Sequence, residues 1–209
     1  RLQLEAELHE ALDAGAFELH FQPQFDLVAN KITGWETLLR WPHPTRGWVP
    51  PQEIIPMAEE TGLILPLGRW ILSQACQEAA RWQQEGIGEF SISVNISPRQ
   101  VEAPGFAAEV AQILAEARLA PRHLELEITE ALLMRPTPQV RETLQALKAQ
   151  GAARVEDTVR IKKALQTAQY GHLHRPGLLG KPRRGLLANA VMMAHGRPGF
   201  LNSLQDAVL

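Results

Sequence analysis

Cysteine is nearly absent: Cys76 stands alone in 209 residues. An internal disulfide framework is therefore excluded, and stability has to come from a packed core. Long apolar runs are also missing. The best stretch, Gly62 to Leu72, is interrupted by Pro66, Gly68 and Arg69, well short of the ~18 residues a helical membrane span needs. No basic-then-apolar leader pattern stands at the beginning of the chain. Together these absences set a reducing, cytoplasmic environment, with no membrane span, as the expectation. Low-complexity tracts are lacking too. With 45% hydrophobic and 21% charged residues, and 15 Gly and 15 Pro, the composition is that of a folded domain and excludes disordered or collagen-like classes.

The net charge of −2 conceals a division. Residues 1 to 150 contain 12 Lys and Arg against 20 Asp and Glu, whereas residues 151 to 209 contain 9 against 3. The chain divides into an acidic segment, 1–151, and a basic segment, 152–209. Such asymmetry points either to a basic arm or to two parts of different origin.

The acidic segment alternates between helical and strand periodicity. Leu2, Leu4, Leu8 and Leu12 recur at helical spacing. Phe17 to Gln22 reads as a strand ending at Pro23, and Ile32 to Trp41 as a second strand. A loop rich in Pro, Gly and Trp, Pro42 to Pro51, follows. Helices are expected at Pro51 to Glu60 and Pro66 to Glu85, the second with Trp70, Ile71, Cys76, Ala79 and Trp82 on one face. Cys76 reads there as a small core residue. Next come strand Phe90 to Ile96, a helical stretch from Pro98 to Arg118, strand Leu124 to Thr129 and helix Pro138 to Gln150. This order implies an α/β fold with a largely parallel sheet. A closed (β/α)₈ barrel takes ~250 residues and at least ~200, so 209 residues suffice only for a compact one. In the basic segment, Val155 to Gln169 reads as a basic helix, and no βα unit can be placed.

Polar residues sit at the ends of apolar strands. Alternation puts Asn95 on one face with Ser91 and Ser93, opposite Ile92, Val94 and Ile96, and puts Glu127 opposite Leu124, Leu126 and Ile128. Glu36 lies in the apolar run Gly34 to Trp41. In a barrel this polar parity points inward, and the C-terminal strand ends form the active face. Two carboxylates and an amide are hard oxygen donors suited to Mg²⁺ or Mn²⁺. Each of them, read alone, is more often a hydrogen-bonded structural group.

Several ordered stretches carry a resemblance: Phe21-Gln22-Pro23-Gln24, Gly34-Trp35-Glu36-Thr37-Leu38-Leu39-Arg40-Trp41, Pro56-Met57-Ala58-Glu59-Glu60-Thr61-Gly62-Leu63-Ile64, Val94-Asn95-Ile96-Ser97 and Glu127-Ile128-Thr129-Glu130. Over about residues 2–151 the chain resembles the EAL domain family of bacterial cyclic di-GMP phosphodiesterases, with Glu36-Thr37-Leu38 in place of the naming tripeptide. The resemblance implies an α/β fold of EAL type, a (β/α) barrel related to the TIM barrel, incomplete or degenerate in its C-terminal part. It implies metal ligation by Glu36, Asn95 and Glu127, support of the active-site loop by Glu130, and contacts to cyclic di-GMP from Gln22 and Arg40. Arg40 would take a phosphate, which a planar guanidinium fork suits. The reaction implied is hydrolysis of one phosphodiester bond to give the linear dinucleotide, on two cations ~3.5–4 Å apart. An upstream GGDEF or sensory domain and a homodimer are the partners the family suggests.

The resemblance stops near Gly151. Where the family has Asp-Asp-Phe-Gly-Thr-Gly, this chain has Val155-Glu156-Asp157-Thr158-Val159. Asp157 could supply one ligand, although an acid pair before a basic helix reads first as an N-terminal cap. The family's catalytic Lys has no counterpart, because Lys181, between Gly180 and Pro182, is in a loop context, so no catalytic residue is assignable. An abrupt break of this kind suggests that residues 152–209 are out-of-frame or foreign sequence. His172 and His174 read as loop histidines. The pairs Lys162-Lys163 and Arg183-Arg184 come without an aromatic platform, so nucleic acid is not an expected partner. Three readings follow: a metal-dependent phosphodiesterase with weakened activity, a catalytically inactive cyclic di-GMP receptor or interaction module, and a truncated product whose barrel does not close.

Overall fold

The computed structural model describes residues 2–26, 31–128, 132, 137–151 and 192–193. The expected basic helix, Asp157, Lys181 and nearly all of segment 152–209 lie outside the described residues, as does Glu130.

The elements follow the sequence periodicity closely. They are α1 (Leu2–Asp13), β1 (Glu18–Asp26), β2 (Lys31–His43), β3 (Gly47–Val49), α2 (Pro51–Thr61), α3 (Ile64–Gln84), β4 (Ser91–Ile96), α4 (Pro98–Glu102), α5 (Phe106–Ala117), β5 (Leu124–Ile128), α6 (Pro138–Ala149) and a two-residue β6 (Met192–Met193). The sheet order is β5-β4-β2-β1-β6, with β3 folded back onto β2. Pairs β2–β4 and β4–β5 are parallel, as expected. The β1–β2 pair is antiparallel, which makes the sheet mixed. The short interval between Asp26 and Lys31 dictates this, since a parallel return needs a crossover of a dozen or more residues.

Four features differ from the sequence reading. The expected loop Pro42 to Pro51 contains strand β3, which pairs with Trp41 to His43 at the end of β2. Strand β1 continues through Pro23, which pairs with Trp35, and ends after a register shift between Gln24 and Phe25. Among the described residues, β1 pairs on its other side with β6 at His20 and Phe21, so no described partner there requires a ladder donor of Pro23. The stretch Pro98 to Arg118 is two helices. Pro104 holds Ala103 in an extended conformation (φ −68°, ψ 131°), which ends α4. Helix α3 starts at Ile64, because Pro66 falls in its first turn, where a missing N–H costs nothing.

The core lies between the sheet and its helices. Leu19 and Phe21 of β1, Trp35, Leu39 and Trp41 of β2, Ile92, Val94 and Ile96 of β4, and Leu124, Leu126 and Ile128 of β5 are all buried. Helix α3 covers this face with Ile71, Leu72, Ala75, Cys76, Ala79 and Trp82. The ring of Trp82 is the point of convergence: its centroid lies 4.9 Å from Phe21, 5.5 Å from Trp35 and 5.9 Å from Phe90. Tilted and edge-on aromatic pairs at these distances stabilise beyond their area. Burial pushes the Cys76 thiol up to about 12, which fits the core role read from sequence. Helix α1 is tied to the β2–β3 hairpin by polar contacts. Nε2 of His43 lies 3.2 Å from Glu7 Oε2, and His43 Nδ1 accepts from the N–H groups of Thr45 and Arg46 at 3.3 Å each. Nε2 is therefore the protonated nitrogen that donates to Glu7. Among the described residues, no helix is long and apolar enough to cross a membrane.

Because the Trp82 ring packs against Phe21, Trp35 and Phe90, Trp82→Ala is expected to lower unfolding free energy by about 3–5 kcal/mol. Urea denaturation followed by circular dichroism measures this, and a loss below about 1 kcal/mol contradicts it.

Candidate active site

Strand alternation that sends apolar side chains toward the helices sends the remaining ones to the opposite face. Gln22 and Gln24 of β1, Glu36 and Arg40 of β2, Ser91, Ser93 and Asn95 of β4, and Glu125 and Glu127 of β5 share that polar parity. The register brings them into a row: Gln22 lies opposite Glu36, Glu36 opposite Ser93, and Asn95 opposite Glu127. Asn95 Nδ2 donates to Glu36 Oε1 at 3.2 Å. Glu36 is half-buried, Asn95 and Gln22 are exposed, and Glu127 is buried at 8% exposure. The three oxygen-donor residues read from sequence therefore stand on three adjacent strands, in the order β2, β4, β5.

Below this row the face is packed with polar groups. Gln24 Nε2 donates to Ser93 Oγ at 3.2 Å. Gly34 allows the close approach. A Cβ at that position would lie 2.7 Å from Gln24 Oε1 and 2.9 Å from Ser91 Oγ, so a side chain there would displace the groups beneath Glu36. Arg40, four residues beyond Glu36 on the same face of β2, donates from Nη1 to the carbonyl of Leu39 at 2.8 Å and is half-buried. That bond holds the guanidinium back against its own strand. Two residues of this face escaped the sequence reading. Gln24 is detectable by its i, i+2 relation to Gln22. His20 has the same parity, is buried at 6% exposure, and meets Trp48 edge-on at 5.6 Å.

Among the described residues, no three His, Cys, Asp or Glu side chains converge. The assembled donor set is two carboxylates and one amide. That set fits one hard divalent cation, which takes few protein oxygens and keeps several waters. A two-cation centre needs further carboxylates, and Asp157, the remaining ligand read from sequence, lies outside the described residues.

A family model, the EAL domain, matches residues 5–155. The chain belongs to the EAL domain family. It is 37% identical over 151 residues to the bifunctional diguanylate cyclase/cyclic di-GMP phosphodiesterase MucR of Pseudomonas aeruginosa, covering 72% of this chain and 22% of MucR. An uncharacterized protein of Synechocystis sp. is 40% identical over 151 residues, again with 72% and 22% covered. Among solved structures, the PaMucR phosphodiesterase in complex with c-di-GMP superimposes with a TM-score of 0.69 at 36% identity, covering 72% of this chain and 61% of that one. The chain thus spans about a fifth of the length of these curated relatives. The EAL match ends at residue 155, close to Gly151, where the charge balance changes sign.

Proposed function

We propose that this chain is an EAL-type cyclic di-GMP phosphodiesterase domain in which the first part of the catalytic centre is retained and hydrolysis is weak or lost. The observation that carries the reading is the placement of Glu36, Asn95 and Glu127 on one face of three adjacent strands, with the Asn95–Glu36 bond of 3.2 Å between the first two. Glu36, Asn95 and Glu127 would hold Mg²⁺ or Mn²⁺. When bound there, the cation activates water and stabilises negative charge on the attacked phosphodiester. Gln22, exposed beside Glu36, is suited to orient the dinucleotide, and Arg40 to bind a phosphate with its fork. Glu130 would brace the loop after β5, two residues beyond Ile128, and Asp157 is the remaining ligand in this scheme. No residue of the sequence fills the place of the family's catalytic Lys. A reducing cytoplasmic setting, a linked diguanylate cyclase (GGDEF) or sensory unit, and a homodimer belong to the same proposal. The bifunctional name of MucR, of which the chain matches only 22%, supports the linked unit.

The second part of the proposal concerns residues 152–209. The family match ends at 155, and the change from acidic to basic composition is abrupt. Gradual divergence would leave weakened but traceable motifs. We infer that this segment is read out of frame or derives from another gene.

Two experiments test the reading. Purified chain incubated with cyclic di-GMP and Mn²⁺, analysed by chromatography for the linear dinucleotide, is expected to give little or no product. Glu36→Ala is expected to abolish what remains. Full turnover by the wild-type chain, or product unaffected by Glu36→Ala, overturns it. Translation of the other two frames of the coding DNA beyond codon 153 is expected to yield Asp-Asp-Phe-Gly-Thr-Gly in one of them, and its absence from both refutes the frame shift.

A further inference from the structure

The turn that follows Asn95 is held from three directions. Ser97 caps α4: its Oγ accepts from the Arg99 N–H at 3.3 Å, and its own N–H donates to Gln100 Oε1 at 3.1 Å. The hydroxyl proton goes to another element, donated to Glu59 Oε1 of α2 at 2.6 Å. Bonds of this length from a hydroxyl to a carboxylate are among the stronger ones in proteins. Ser97 and Gln100 are 7% and 3% exposed, which shields the bonds from water. Helix α3 contributes by omission, because a Cβ on Gly68 would lie 2.1 Å from Gln100 Nε2. Helices α2, α3 and α4 therefore meet at Ser97, two residues beyond Asn95.

Strand β4 depends on that anchorage. Its ladder with β2 ends at Val94, opposite Thr37, whereas its ladder with β5 continues through Asn95 and Ile96. Asn95 is thus held by strand pairing toward β5, and its course on the β2 side is set by the turn beyond it. On the β2 side stands Glu36, the acceptor of its side-chain amide.

We propose that Glu59 is a positioning residue: through Ser97 it fixes the turn after β4 and so aims the Asn95 amide at Glu36. The proposal rests on the reading of Glu36, Asn95 and Glu127 as a cation site, and its test separates the two. In ¹H–¹⁵N spectra of the full chain, the Asn95 side-chain NH₂ pair is identified by its loss in Asn95→Asp. Glu59→Ala is expected to shift that pair and to weaken Mn²⁺ binding, followed by electron paramagnetic resonance, about 10-fold. Glu59→Gln keeps an acceptor for the Ser97 hydroxyl and is expected to leave both near wild type. Where Glu59→Ala fails to fold, Ser97→Ala removes the same bond from the other side and is expected to give the same shift. An unchanged Asn95 signal in a folded Glu59→Ala or Ser97→Ala chain overturns the inference. A shifted Asn95 signal in a chain whose wild type binds no Mn²⁺ sustains the positioning role and overturns the cation reading instead.

Discussion

The packing of Trp82 against Phe21, Trp35 and Phe90 is the contact on which the rest of the molecule depends. It joins α3 to β1, to β2 and to the residue just before β4, and so fixes which face of each strand is turned toward the helices. In a structure with a period of two, that choice also decides the other face. A slip of one residue in β2 would bring Glu36 under α3 and expose Trp35. The burial of a charged group against indole and aliphatic carbon costs several kcal/mol unless it is paired. The polar row on the opposite face is therefore a consequence of apolar packing, and the site inherits its precision from the core.

Within that row, the parallel register does the assembling. Glu36 and Glu127 are far apart in sequence, and neither shares a strand with Asn95. Parallel neighbours lie about 4.8 Å apart across the sheet, so residues in register or nearly so on β2, β4 and β5 are brought close without any loop contribution. This is why the donors come from strands. A loop-built cluster would need its own ordering, whereas these groups are ordered by the ladder. Gly34 and the Gln24–Ser93 bond then fill the space beneath, so that the row rests on packed polar groups.

Most of the described fold was legible in the sequence because helix and strand periodicities are clean between Leu2 and Ala149. The misreadings occur where a local rule met a tertiary context. Pro23 marks a strand end in isolation, yet β1 continues through it, paired with Trp35 of β2. The Pro98 to Arg118 stretch keeps helical periodicity across Pro104, although the backbone before that proline cannot stay helical. The antiparallel β1–β2 pair could have been deduced from the short interval after Asp26. Glu36, Asn95 and Glu127 were visible as polar residues at apolar strand ends, but only the register shows that they are neighbours. Glu59 and Gln100 gave no signal beyond their motif and cap positions, since their significance lies in contacts between helices distant in sequence. Beyond Gln169 the basic segment stayed opaque for another reason: its Gly, Arg, Leu and Pro content has no sustained period to read.

The central claim is that residues 1–151 carry a correctly built first part of an EAL site, and that residues 152–209 fail to complete it. The most direct measurement is cyclic di-GMP hydrolysis by a hybrid in which 152–209 are replaced with the corresponding C-terminal part of the MucR EAL domain. The account predicts Mn²⁺-dependent formation of the linear dinucleotide by the hybrid, abolished by Glu36→Ala. A folded hybrid that binds cyclic di-GMP and forms no product would contradict it.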